Sequence, residues 1–279
     1  MSRDEPDGTA LLGRLLRPFR RERAEEPQQP APAPAIRVPV YVVGMSHTRA
    51  LAAAIERDGA DDVMIDRATR ATMGADHPLT PEQLARYAPT VAISMMGGNQ
   101  HNRIGLFESP EPFDFYLDAD DTVLPGRRIV RHAEMRANIM EMTSRSFERT
   151  TELAGFYKVP TAHVASPPPV YDEAHLVETL AEKAAQLGLP LKFTPPSIRM
   201  KLYRLQNRIL QEWCDQNGID FLPAPADGQT ADGFLAPQFR RNDPTHGNAR
   251  YGKLVLAQIR RYAAGHGAAV AGPDAGKPK

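Results

Sequence analysis

Short apolar runs alternate with longer segments of helical periodicity along most of this chain, and no other feature of the sequence restricts its fold as strongly. The apolar runs have the length of buried strands, and the segments between them repeat apolar residues every three or four positions, as amphipathic helices do. This alternation predicts an α/β domain with a mostly parallel sheet. The five predicted strands are 38–43, 63–65, 91–96, 161–165 and 219–222.

Helices are expected between and after these strands. The predicted helices are 49–57, about 131–156, 200–217 and 251–262. Gly218 stands where the end of a helix favours glycine. Residues 103–157 are longer than one crossover needs and carry an aromatic cluster of Phe113, Phe115 and Tyr116. This insertion is either a cap over a site or a bulky crossover.

The two ends of the chain differ in composition from its centre. Residues 27–35 are mostly proline, alanine and glutamine, which favours an extended linker. Ahead of it, the leucines and arginines of residues 10–23 have helical spacing, so this stretch is either a disordered tail or a helix that docks weakly on a membrane or protein. We therefore predict a basic tail and linker over 1–36, one domain over 37–262, and a disordered tail over 263–279.

Charge and cysteine content exclude several classes of function. The 34 Lys and Arg residues equal the 34 Asp and Glu residues in number, so no net charge attracts nucleic acid. The single cysteine, Cys214, has no partner for a disulfide or a multi-cysteine metal site. No apolar run reaches the roughly 18 residues of a membrane span, and no secretory signal is recognisable. A cytoplasmic protein without a nucleic-acid partner is expected.

Polar residues follow two of the predicted strands and precede the last helix. Ser46 comes just after the first strand, Asn99 just after the third, and Asp243 and His246 just before the last helix. In an open parallel sheet, ligands bind beyond the carboxyl ends of the strands, near the point where the strand order reverses. These side chains are therefore expected to converge on one site.

A serine hydroxyl becomes a strong nucleophile when a base removes its proton and a carboxylate orients that base. The three-residue spacing of Asp243 and His246 lets the carboxylate reach one imidazole nitrogen while the other faces Ser46. The alternative is that Asp243 or Thr245 starts the last helix, that His246 is a surface residue and that Ser46 caps a helix.

Acyl transfer also needs hydrogen-bond donors for the oxyanion of its intermediate. Asn99 follows two glycines, which permit a close approach of backbone to ligand, and the backbone N–H of Ser46 at the start of a helix is a second donor. The alternative for residues 97–99 is an ordinary turn after a strand.

Together these motifs resemble those of the SGNH, or GDSL, hydrolase superfamily, over roughly residues 38–262. Gly44-Met45-Ser46 stands where that family has Gly-Asp-Ser, Gly97-Gly98-Asn99 resembles its Gly-x-Asn block, and residues 243–246 resemble its Asp-x-x-His block. The resemblance implies a flavodoxin-like three-layer α/β/α sandwich with a five-stranded, mostly parallel sheet. It also implies that Ser46 is the nucleophile and an oxyanion donor, Asn99 the side-chain oxyanion donor, His246 the general base and Asp243 its orienting carboxylate.

The sequence departs from the family pattern at three places. Met45 replaces an aspartate before the nucleophile, and Gln100 replaces an aspartate that often follows the asparagine. The family's oxyanion glycine has no clear counterpart. Gly74, in the loop after the second strand, is the candidate, ahead of Gly59, which precedes that strand.

Three further polar residues flank the predicted centre. His47, His101 and Asn102 are either substrate contacts or supports for the catalytic groups through hydrogen bonds. His47, His101 and His246 lack the local spacing of a zinc site, and no phosphate-binding glycine motif occurs. We therefore expect neither a metal nor a cofactor.

The sequence thus predicts a serine esterase. On the resemblance alone, its substrate is a small O-acyl ester of a carbohydrate-like alcohol. An O-acyltransferase that uses the same residues is the nearest alternative. A binding or scaffold protein that retains the fold without catalysis is the third.

Overall fold

A computed structural model describes residues 34–67, 80–188 and 191–270. The predictions for the basic tail, for most of the linker, for the loop that holds Gly74 and for residues 271–279 lie outside these ranges.

The described chain alternates strands and helices, as predicted. Its elements are β1 (Ile36–Gly44), α1 (Thr48–Asp58), β2 (Val63–Arg67), α2 (Pro81–Leu84), β3 (Tyr87–Met95), α3 (Gln100–Gly105), β4 (Phe113–Asp114), β5 (Arg128–Ile129), α4 (His132–Tyr157), β6 (Thr161–Val164), α5 (Glu173–Leu187), α6 (Pro196–Gln216), β7 (Asp220–Leu222) and α7 (Ala249–Gly265). Each predicted strand and helix is present within a few residues of its expected bounds. Helices α2, α3 and α5 and the short strands β4 and β5 were not predicted.

The main sheet has five strands in the order β2-β1-β3-β6-β7, and all of its pairs are parallel. Val42 of β1 pairs with Ile65 on one side and Ile93 on the other. The strand order reverses at β1 and β3, as in flavodoxin-like sheets, so ligands are expected at the carboxyl ends of these two strands. The predicted fold class is confirmed.

Helices cover both faces of the sheet because side chains alternate between its faces. Val40 of β1 packs in a cluster with Leu51 of α1 and Val255 of α7. Tyr41, the next residue, packs in a second cluster with Leu153 of α4. Each fully buried aliphatic side chain of this kind contributes about 1.5–3 kcal/mol relative to exposure. The chain therefore forms three layers, with α1 and α7 on one face and α4 on the other.

The insertion over residues 103–157 contains the end of α3, the two-stranded sheet of β4 and β5, and α4, which is the crossover helix from β3 to β6. Phe115 and Ile139 pack against Leu202 of α6. The Lys201 ammonium lies 2.8 Å from Asp114 Oδ1 in the interior. The insertion is therefore packed against α6.

Helix α7 is longer than the sequence predicts, and helix α5 is an additional element. Helix α7 continues to Gly265, and Ala263 is buried in the core. Helix α5 begins at an N-cap, Asp172, whose carboxylate accepts hydrogen bonds from two backbone N–H groups, and it buries Leu176 and Leu180. None of the helices in the described ranges combines the length and hydropathy that a membrane crossing needs.

A backbone contact joins α1 and α7 next to the predicted catalytic residues. A Cβ atom on Gly252 would lie 1.9 Å from the carbonyl oxygen of Ala50, so no side chain fits there. Helix α1 begins two residues after Ser46, and α7 begins three residues after His246. The contact therefore sets the spacing between the two segments that carry these residues.

Candidate active site

Ser46 lies in a tight turn between β1 and α1. The Thr48 hydroxyl donates to the Met45 carbonyl at 2.6 Å, and the Thr48 backbone N–H donates to the same oxygen at 3.2 Å. Glycine is required at position 44, because a Cβ there would lie 2.5 Å from Thr48 Cγ2. Ser46 is thus half-buried at the carboxyl end of β1, and its backbone N–H makes no hydrogen bond to a described residue.

Asp243 and His246 form the predicted pair. Asp243 Oδ1 lies 2.9 Å from His246 Nδ1 and accepts the backbone N–H groups of Thr245 at 3.0 Å and His246 at 2.8 Å. Burial acts to raise the pKa of Asp243, but these hydrogen bonds outweigh it and lower the pKa to about 2. An ionised carboxylate only accepts, so Nδ1 of His246 carries a proton, and in the neutral imidazole Nε2 is the unprotonated nitrogen.

The loop that carries this pair is closed independently of α7. The Arg241 N–H donates to the His246 carbonyl at 3.0 Å. Asn248 caps α7 by accepting the N–H groups of Arg250 and Tyr251 at 2.9 and 3.2 Å. Asp243 and Thr245 therefore do not start the helix, and the carboxylate of Asp243 is free to orient His246.

The ring of His47 connects the serine turn with the histidine loop. Its centroid lies 5.0 Å from that of His246, at an interplanar angle of 46°. Within the described part of the chain, His246 Nε2 is buried and has no hydrogen-bond partner, so the bond from Ser46 Oγ is not formed. The structure brings the two segments together but leaves this proton-transfer contact open, as is common for a free enzyme.

Asn99 has its amide oriented by a neighbour. Asn102 Nδ2 donates to Asn99 Oδ1 at 2.8 Å, which leaves Asn99 Nδ2 available as a donor. The adjacent Gly98 carbonyl accepts Gln206 Nε2 at 2.9 Å, and its N–H donates to Gln100 Oε1 at 3.0 Å. Asn102 is thus a positioning residue for the predicted oxyanion donor.

The loop around Asn99 needs both of its preceding glycines. Gly97 and Gly98 have φ values of 77° and 87°, which other residues rarely adopt. A Cβ on Gly97 would also lie 2.4 Å from Ser146 Oγ of α4. The two glycines therefore press the loop against neighbouring elements at the carboxyl end of β3.

His47 and His101 are buried imidazoles, with 6% and 1% of their surface exposed. Burial, helped by the nearby His246 and His101, lowers the pKa of His47 to about 3, although Asp243 acts in the opposite direction. Burial lowers the pKa of His101 to about 4 despite its hydrogen bond to Gln206. Both rings are therefore neutral at neutral pH. In the described ranges, no three His, Cys, Asp or Glu side chains are arranged to hold a metal ion.

Two of the three departures from the family pattern, Met45 and Gln100, have structural roles. Met45 packs beside Val43 and Met96 in the cluster that faces α4. Gln100 holds the N–H of Gly98 and donates to the Met142 carbonyl at 3.2 Å. An aspartate would make neither the apolar contact of Met45 nor the hydrogen-bond donation of Gln100.

Two residues near the site, Gln206 and Ser166, were not predicted from the sequence. Gln206 of α6 anchors the Asn99 loop, but a glutamine 105 positions from His101 carries no local sign of that contact. Ser166 follows β6 and is buried, and its hydroxyl has no partner among described residues. Ser166 could have been predicted, because it follows a predicted strand just as Ser46 and Asn99 do.

Comparisons with known proteins give fold-level matches to solved structures. No protein-family model and no curated protein sequence matches the chain. A GDSL-like lipase from Bacteroides thetaiotaomicron is 15% identical, with a TM-score of 0.41 and coverage of 84% of this chain and 93% of that one. An extracellular lipase from Streptomyces rimosus is 10% identical, with a TM-score of 0.43 and coverage of 82% and 100%.

A third match is the periplasmic domain of a lipopolysaccharide acetyltransferase from Salmonella ser. Paratyphi A. It is 12% identical, with a TM-score of 0.40 and coverage of 82% of this chain and 84% of that one. With TM-scores below 0.5, the activity of this chain has to be inferred from its own residues.

Proposed function

We propose that this chain is a serine esterase of the SGNH type, with Ser46 as nucleophile, His246 as general base and Asp243 as its orienting carboxylate. One observation carries the proposal. The Asp243–His246 pair, joined at 2.9 Å, contacts His47, the residue after Ser46, at the strand ends where a parallel sheet binds its ligands.

Acylation would begin with attack of Ser46 Oγ on the ester carbonyl carbon while His246 Nε2 takes the hydroxyl proton. The carbonyl oxygen then carries the negative charge, and Asn99 Nδ2 and the Ser46 N–H are the proposed donors to it. As the tetrahedral intermediate collapses, the bond to the alcohol oxygen breaks, and His246 returns the proton to that oxygen. The products of this step are the free alcohol and a serine ester.

Deacylation repeats these roles with water. His246 Nε2 takes a proton from water, the resulting hydroxide attacks the serine ester, and the proton returns to Ser46 Oγ as the acid leaves. Gly74 is our candidate for a further oxyanion donor, and its loop lies outside the described residues. His47 and Asn102 are proposed to line or support the same space.

An O-acyltransferase is a second candidate, and burial of the base favours it. His246 Nε2 and both nitrogens of His47 are buried from solvent. A site that excludes water slows hydrolysis of the acyl-enzyme and leaves it for another alcohol. In this case the acylated product would form faster with a sugar acceptor than free acid forms with water.

Covalent labelling tests the proposed nucleophile. A fluorophosphonate probe should label the wild type at one serine and should fail to label Ser46→Ala. Ser144→Ala, which removes an exposed hydroxyl on α4, is the matched control and should label like the wild type. Equal labelling of Ser46→Ala and wild type, or no labelling of either, would favour a binding protein that keeps the fold.

The orientation of Asn99 gives a kinetic prediction. Asn102→Asp places a carboxylate beside Asn99, attracts Asn99 Nδ2 and turns Oδ1 toward the oxyanion, so we expect kcat for p-nitrophenyl acetate to fall by about 10²–10³. Asn138→Asp, at an exposed position on α4, introduces the same charge and should leave kcat unchanged. If both variants retain wild-type kcat, Asn99 is not an oxyanion donor.

Location and partners complete the proposal. The buried free thiol of Cys214 is compatible with a reducing cytoplasm. The proposed partner is a small-molecule or carbohydrate ester, without nucleic acid. Weak docking through residues 10–23 stays a prediction, since they lie outside the described ranges.

A further inference from the structure

Buried polar atoms without partners are concentrated at one place. Among described residues, nine buried side-chain nitrogen or oxygen atoms have no hydrogen-bond partner, and four of them belong to His47, His101 and His246. Buried polar groups in folded proteins are nearly always hydrogen-bonded. Such a concentration beside a proposed nucleophile marks these atoms as the ones to which a bound substrate or ordered water would bond.

The proton of His101 can be located from its neighbours. Gln206 Oε1 accepts the His101 backbone N–H at 2.9 Å and lies 3.2 Å from His101 Nδ1, while the Gln206 amide nitrogen is committed to Gly98. An amide oxygen only accepts, so Nδ1 carries the proton. Nε2 of His101 is consequently a buried lone pair that can only accept a hydrogen bond.

The other two rings have definable states as well. The Asp243 carboxylate holds a proton of His246 on Nδ1, so the neutral ring that the proposed general base requires has its lone pair on Nε2. His47 is neutral, so it has one N–H and one lone pair, and neither has a partner among described residues. The three rings together present three unprotonated nitrogens and one N–H.

The available donors do not match these acceptors. The Ser46 hydroxyl can serve one lone pair, that of His246, and the N–H of His47 can serve one more. Asn99 Nδ2 is reserved for the oxyanion. The buried hydroxyls of Ser166 and Tyr251 bond none of these nitrogens. At least one buried lone pair therefore needs a donor that is not part of this set, and ionised carboxylate oxygens cannot provide it because they only accept.

His101 is the acceptor whose position is fixed. Gln206 holds its Nδ1, and the ring of Tyr203 packs edge-on against it with centroids 5.1 Å apart. His47 has no hydrogen bond to a described residue, so its ring can rotate to exchange donor and acceptor. The lone pair on His101 Nε2 has a fixed direction, so it can distinguish ligands that donate a hydrogen bond from those that do not.

We propose that His101 Nε2 accepts a hydrogen bond from the substrate, so that the enzyme prefers esters with a free O–H or N–H group near the ester bond. This inference rests on the proposed function, since it deepens the substrate class of the same site. An ester whose groups near the ester bond only accept hydrogen bonds leaves His101 Nε2 without a donor. A carboxylate at that position would also place its negative charge next to the lone pair of this nitrogen.

The test compares two esters of matched length, glycerol monoacetate and propyl acetate. In the wild type, kcat/KM should be about 10- to 100-fold higher for glycerol monoacetate. His101→Asn keeps a donor for Gln206 but removes Nε2, so the ratio of the two kcat/KM values should fall by about 10-fold. The ratio cancels a general loss of active enzyme, which a merely structural role of His101 would cause.

His163 provides the matched control. It is also a buried histidine, its Nδ1 lies 3.2 Å from Ser94 Oγ and its Nε2 has no partner among described residues, but it lies within the sheet, stacked on Phe221. His163→Asn makes the same chemical change and should leave the selectivity ratio at the wild-type value. A fall of equal size in both variants would overturn the proposal.

Binding without turnover separates this inference from the proposed function. NMR titration of the Ser46→Ala variant should show tighter binding of glycerol monoacetate than of propyl acetate, and the added change His101→Asn should remove the difference. If no ester is hydrolysed but this difference persists, the esterase proposal fails and the subsite stands. If both esters bind equally, or wild-type kcat/KM is equal for both, the subsite proposal is wrong.

Discussion

His246→Ala is expected to reduce kcat for p-nitrophenyl acetate by about 10⁶, to the level of the Ser46→Ala variant, because either change removes the only proton transfer that makes the serine nucleophilic. The double variant should be no slower than either single variant, since residues that act as one unit are not additive. KM should change little, because neither side chain is proposed to bind the remote part of the ester.

The contribution of Asp243 is measured in the same series. Asp243→Asn keeps the shape but allows the amide nitrogen to face His246 Nδ1, which favours the wrong tautomer, so we expect kcat to fall by about 10⁴. His132→Ala, at the exposed start of α4, is the control and should retain wild-type kcat. If His246→Ala keeps more than a tenth of the wild-type rate, His246 is not the base.

Gly252→Ala is expected to cost about 3 kcal/mol or more in the free energy of unfolding, because its Cβ would lie 1.9 Å from the Ala50 carbonyl oxygen. Backbone atoms on both sides leave no flexible side chain to move aside, so α1 and α7 must separate. Their separation moves Ser46 away from His246, and a displacement of about 1 Å can reduce kcat by about 10²-fold. Urea unfolding and kcat measured on the folded fraction test the two effects.

The control for this change lies on the same helix. A Cβ built on Gly265 meets no described residue outside its own helix turn within 4 Å. Gly265→Ala should therefore leave kcat unchanged and, by removing a flexible residue from the last turn, alter stability by less than about 1 kcal/mol. Equal stabilities for the two alanine variants would show that the α1–α7 contact adapts and does not set the site.

The parts of the fold that local pattern controls were predictable. The apolar runs that begin at Val38 and Val91 were predictable as strands because segments of helical periodicity separate them. Ser46 and Asn99 were then predictable as site residues, because ligands of an open parallel sheet bind at the carboxyl ends of its strands. The Asp243–His246 bond followed from a three-residue spacing, which a short loop can satisfy by itself. Local geometry carried these predictions.

The contacts that the sequence did not predict join residues far apart in the chain. Gln206 reaches His101 across 105 positions of sequence, and only the packing of α6 against α3 brings them together. The tautomer of His101 depends on that contact, so its role as an acceptor was not predictable either. Helix α5 is a different case: Asp172 and the apolar spacing of Leu176 and Leu180 indicate a helix, and this local signal was overlooked.

The buried Lys201–Asp114 contact decides how modular the insertion is. Among described residues, the hydrogen-bond partners of the Lys201 ammonium all lie in residues 114–122, namely the Asp114 carboxylate and the carbonyls of Phe115 and Thr122. Replacing Asp114 alone would leave the lysine charge enclosed on α6 without its counterion, which typically costs about 3–5 kcal/mol. A change of Asp114 in the insertion therefore calls for a change of Lys201 on α6 in the same step, so these two parts of the chain have to be redesigned together.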